Sequence, residues 1–99
     1  MGVNFLGTWT SRTIDYLRAS KPSEKDTRWT VFLGGDGTGY MKVKSLIPIK
    51  QKFKWFKVDD DSFFCEGTGG SSLRLMGVYD NGELLVRDDN FQYHLFRQP

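Results

Sequence analysis

Clusters of glycine, asparagine and aspartate cut this chain into about eight short segments that alternate apolar and polar residues, and that punctuation constrains the fold more than any other feature. Asp80-Asn81-Gly82 is the sharpest signal, because Asn-Gly suits both positive-φ positions of a type I′ hairpin turn. Gly34-Gly35-Asp36-Gly37, Asp59-Asp60-Asp61, Gly67-Thr68-Gly69-Gly70-Ser71 and Asp88-Asp89-Asn90 mark the other turns. Strands are expected from Thr8 to Leu17, over 27–33 and 38–46, from Lys50 to Val58, from Ser62 to Glu66, and over 73–78, 83–87 and 91–97. Residues 19–26, with Pro22 among them, have loop composition. No segment sustains a helical period, and turns this short join antiparallel neighbours. The expected fold is therefore all-β, a small up-and-down antiparallel barrel.

Two strands carry an irregular phase. In the first, Trp9 and Ser11 alternate out of step with Ile14 and Tyr16, so both faces are partly apolar and a bend midway is expected. In the fourth, Lys50, Lys52 and Lys54 oppose Gln51, Phe53 and Trp55 before Phe56-Lys57 reverses the pattern. A β-bulge near Trp55-Phe56 would absorb that reversal.

Ninety-nine residues suit one domain over 1–99 with one core. Eight Phe, four Tyr and three Trp supply large apolar surfaces for so small an interior. A single cysteine, Cys65, excludes an internal disulfide and points to a reducing, cytoplasmic setting. No apolar run approaches the ~20 residues that cross a bilayer, and Met1 to Leu6 lack the regions of a signal peptide, so no membrane association is expected. The formal net charge of +2 is unevenly laid out. Residues 37–58 carry six lysines and no acid, whereas residues 59–90 carry eight acids against Arg74 and Arg87.

Gly7-Thr8-Trp9 near one end and Arg97 near the other, together with the strand count, resemble the calycin superfamily of lipocalins and fatty-acid-binding proteins. Closer still, the chain is similar to compact bacterial lipocalin-like domains, with Asp36-Gly37-Thr38-Gly39 and Phe53-Lys54-Trp55 resembling a recurring turn and strand. The resemblance implies that Trp9 opens the first strand and that Arg97 packs across its indole at the closed end. The pairing also has a physical basis, since a guanidinium on an indole stabilises by about 0.5–2 kcal/mol and would tie the first strand to the last. Only six residues precede the motif, which leaves little room for an N-terminal plug.

No constellation for catalysis stands out. His94 is the sole histidine, expected to be exposed or at a rim, and Cys65 has no activating context. One His and one Cys fall short of a zinc set, and Asp59-Asp60-Asp61 lacks the alternating ligand spacing of a calcium loop. Neither metal nor cofactor is expected, and the protein reads as a non-enzymatic binder.

Three kinds of partner remain. A protein partner ranks first: a small charge-segregated domain suits an inhibitor, such as an immunity protein that neutralises a bacterial toxin. Asp59, Asp60, Asp61, Asp88 and Asp89 would meet a basic partner, and Lys50, Lys52 and Lys54 an acidic one. A small apolar ligand ranks second, carried in a cavity lined by Trp29, Phe53, Trp55, Phe64 and Tyr93. Single-stranded nucleic acid on the Lys42–Lys57 hairpin ranks last, because strand alternation turns the lysines away from Phe53 and Trp55.

Overall fold

The computed structural model describes residues 4–17, 24–25, 29–43, 49–70, 72–88 and 91–98. Its strands are β1 (Gly7–Tyr16), β2 (Glu24–Lys25), β3 (Trp29–Leu33), β4 (Thr38–Val43), β5 (Ile49–Asp59), β6 (Ser62–Gly67), β7 (Arg74–Asp80), β8 (Glu83–Arg87) and β9 (Phe91–Arg97). From β3 onward each strand pairs antiparallel with the next, β3 also pairs with β1, and β1 closes the sheet by pairing with β9. Eight strands thus form a closed up-and-down barrel, with no helix among the described residues. The Asn81-Gly82 turn has φ of 50° and 84°, as a type I′ hairpin requires.

The ninth element departs from expectation. Glu24–Lys25, in the stretch of loop composition, pairs with Thr13 and Ile14 of β1. β3 covers β1 only from Gly7 to Thr10, so the far half of β1 would otherwise present an unpaired edge. Residues 27–28 and 44–46, expected as strand, lie outside the described residues.

The bend expected in β1 is a bulge: its register with β9 shifts between Ser11 and Thr13. Trp9 and Ser11 are buried before the shift, and Ile14 pairs with Tyr93 after it. One extra residue thus lets the strand change phase between Ser11 and Ile14. In β5 the bulge falls elsewhere than expected. Trp55 pairs with Cys65, Phe56 with Phe64 and Lys57 with Phe63 without interruption, and the register shifts only between Lys57 and Asp59. No shift occurs at Trp55-Phe56 because Phe56 is an outward residue, 54% exposed, and needs no re-aiming.

The core consists of Phe5, Trp9, Trp29, Val31, Leu33, Phe53, Phe63, Cys65, Leu75, Leu84, Val86 and Leu95. Two rings fit because glycines face them: Phe53 lies against Gly39, its cross-strand partner, and Phe63 against Gly77. A methyl group at either glycine would overlap the ring. Phe5 corrects the expectation about a plug. It is 2% exposed, its ring centroid lies 5.0 Å from that of Phe63, and its carbonyl accepts the Trp9 indole N–H at 3.0 Å. A single phenylalanine therefore stops the end of the barrel where β1 begins.

Candidate partner-binding surface

The closed end is organised around Trp9 and Arg97, which are direct partners across the β1–β9 seam. The guanidinium lies 4.3 Å from the centroid of the Trp9 ring. It donates to the Leu6 carbonyl at 2.6 Å and to the Asn4 carbonyl, fastening the segment that carries Phe5. Gly7 permits this arrangement: its φ is +116°, and a Cβ there would sit 3.3 Å from the guanidinium.

Of the residues expected to line a cavity, Trp29, Phe53, Trp55 and Tyr93 belong to or pack against the core. Trp29 lies on Tyr93 with centroids 3.4 Å apart, and Trp55 donates its indole N–H to the Gly34 carbonyl at 2.9 Å. Phe64 does not join them. Strand alternation buries Phe63 and Cys65 and turns Phe64 outward, where its ring centroid lies 5.6 Å from that of Phe56. Burial also pushes the Cys65 thiol well above its usual range, which keeps it un-ionised.

The outward turn of Phe64 creates the most conspicuous surface of the molecule. Phe56, Phe64 and Met76 are successive cross-strand partners on β5, β6 and β7, with Val58 and Val78 on the same outer side toward the closed end. Phe56, Val58, Met76 and Val78 are 54, 58, 49 and 38% exposed. Five apolar side chains in one contiguous outer patch are unusual on a surface facing water. The signal was present in the doublets Trp55-Phe56 and Phe63-Phe64. On a strand only one member of an adjacent aromatic pair can face the core.

Asp59 ends β5 and Asp60 and Asp61 form the turn into β6, at one end of this patch. The Asp59 carboxylate accepts the Asp61 N–H at 2.9 Å, and this bond, with one from Ser62, holds its pKa below the usual carboxylate range. Asp60 and Asp61 are exposed. Asp88 is separate: it lies at the opposite end of the barrel, half-buried, where its carboxylate accepts the Phe91 N–H at 2.8 Å. It closes a turn instead of presenting charge. Asp89 lies outside the described residues. Lys50, Lys52 and Lys54 project from the outer side of β5 beyond the apolar patch.

His94 is neither exposed nor at a rim. Its Nε2 lies 2.6 Å from Asp15 and its Nδ1 3.1 Å from Glu83, which joins β1, β9 and β8 on the outer face. Burial disfavours the charged ring, but the hydrogen bonds and charges of Asp15 and then Glu83 outweigh it and raise its pKa. The two ring nitrogens point apart, so the three side chains do not converge on a metal position, and among the described residues no metal-ligating group is found.

No protein-family model matches the chain. No curated protein matches it either. No helix among the described residues is long and apolar enough to cross a membrane.

Proposed function

We propose that the protein is a non-enzymatic protein-binding module with a calycin-like barrel, docking its partner on the outer face of β5–β7. The observation that carries this reading is the patch of Phe56, Val58, Phe64, Met76 and Val78. Burying the half of each such side chain that is still exposed would contribute about 0.7–1.5 kcal/mol. Its rim is polarised: Asp59–Asp61 mark one end, and Arg87 is the cross-strand partner of Met76. A partner with a basic surface against the acidic end fits this rim, and the two signs would fix its register. An inhibitor of a basic bacterial toxin, in the manner of an immunity protein, is the specific form we propose.

The test is affinity capture from the source cell with the wild-type protein and with Phe56→Ser/Met76→Ser. The wild type is expected to retain one defined protein, and the variant to bind it about thirtyfold or more weakly, as for central interface residues. Equal capture by both, or capture by neither, overturns the proposal.

A carrier role has one observation in its favour. The Trp29 indole N–H is buried and has no hydrogen-bond partner among the described residues, at the barrel end opposite the Phe5 plug. Quenching of tryptophan fluorescence by a fatty acid, lost in Trp29→Phe, would support this second reading. Unchanged fluorescence would remove it.

A further inference from the structure

The outer side of β3, β4 and β5 forms a second surface, chemically unlike the apolar patch. Phe32 pairs across strands with Tyr40, and Tyr40 with Lys52. The two rings stack with centroids 5.2 Å apart and planes 23° from parallel. The ammonium groups of Lys50 and Lys42 lie 4.5 and 5.4 Å from the centroid of Tyr40. An open cleft of about 360 Å³ is bordered by Phe32, Thr38, Tyr40, Lys52, Lys54 and Thr68.

Within β5, strand alternation separates the lysines from Phe53 and Trp55, which face inward. Phe32 and Tyr40, on neighbouring strands, share the outer side with the lysines. Charge on this surface is mostly of one sign. Lys42 stands directly opposite Lys50, an arrangement of like charges that destabilises a sheet. Asp36 is bonded to Thr38 at 2.7 Å, and Glu66 on β6 is the cross-strand partner of Lys54. Among the described residues none of the four lysines forms an ion pair.

We propose that this surface binds single-stranded nucleic acid. Lys50, Lys52 and Lys54 repeat along β5 every ~6.6 Å, a linear row of cations able to follow a phosphate backbone. The Phe32–Tyr40 pair beside that row offers flat, half-exposed rings on which bases stack regardless of sequence. An acidic protein surface would use the lysines alone and leave the rings idle, so nucleic acid accounts for more of the surface. The site is separate from the Phe56 patch, and either can fail without the other.

The experiment is fluorescence anisotropy of a labelled oligothymidylate of about 16 nucleotides titrated with the full chain at several salt concentrations. Binding is expected at low salt, and the logarithm of its constant should fall against that of salt with a slope of about −3 for four neutralised phosphates. Tyr40→Ala should weaken binding about fivefold or more, while Tyr40→Phe preserves it. Lys50→Gln/Lys52→Gln should flatten the slope by about 1.4. Near-ultraviolet circular dichroism confirms that each variant is folded. Absence of binding at low salt overturns the proposal, as does equal binding by folded Tyr40→Ala. Polyglutamate or duplex DNA bound as tightly as the single strand would also overturn it, since neither stacks unpaired bases on the rings.

Discussion

His94 sits between two carboxylates, and that position makes a prediction at the scale of one residue. Its pKa is raised in the folded state by Asp15 and Glu83, against an unfolded value of about 6.5. The protonated ring therefore favours the folded state, fully so below about pH 6.5, and that contribution is lost as pH rises through the higher native value. Urea midpoints measured from pH 5 to pH 9 should fall across this window for the wild type. His94→Gln should remove that component of the fall, and an identical profile in both proteins would contradict the assignment. Trp9 gives the second prediction. It is 2% exposed, bonds Phe5 and carries Arg97 on its face, so Trp9→Ala should cost about 3–5 kcal/mol in equilibrium unfolding. Unaltered stability would refute its role at the seam. The Trp9–Arg97 contact was legible in the sequence because a closed up-and-down barrel must pair its first strand with its last and the resemblance set Arg97 on the indole. The contacts of His94 were not, since Asp15 lies 79 positions away and only the β1–β9 register brings it near.

Element by element, the sequence announced what local alternation controls. Turns at Asn81-Gly82 and Gly34–Gly37 delimit strands whose inward residues follow directly from period two. Two things escaped it for physical reasons. A bulge is a choice between strands, so the shift at Lys57–Asp59 depends on its pairing with β6, which a pattern within β5 cannot reveal. Outer-face neighbours are likewise set by register, which is why Phe32 was not associated with the lysines of β5. Gly77 shows how register also governs packing, since the Phe63 ring occupies the space where its side chain would be. Gly77→Ala should destabilise by about 1–3 kcal/mol through overpacking, although its backbone is ordinary strand. Thermal melts would check this, with Gly82→Ala as a comparison in which backbone strain acts without a clash. If Gly77→Ala melts like the wild type, the ring has room that the structure denies it.

For the whole molecule, closure is the expensive event. Every pairing from β3 to β9 joins strands adjacent in the chain, whereas the seam joins Trp9 to Arg97 across nearly the full sequence. Closing so long a loop costs entropy before any seam contact is gained, so the seam should form after the β7–β8 hairpin, whose two-residue turn needs almost no search. Mutations at the two places should then separate kinetically. Arg97→Ala removes an interaction absent from the transition state and should speed unfolding while leaving refolding nearly unchanged. Asn81→Ala forces an alanine into φ near 50° in the early hairpin and should slow refolding instead. Stopped-flow chevrons would read both, with refolding expected in milliseconds to seconds, as is usual where non-local β pairing dominates. If Arg97→Ala slowed refolding as much as it destabilised the protein, the barrel would be closing at its seam first, and the order argued from chain connectivity would be reversed.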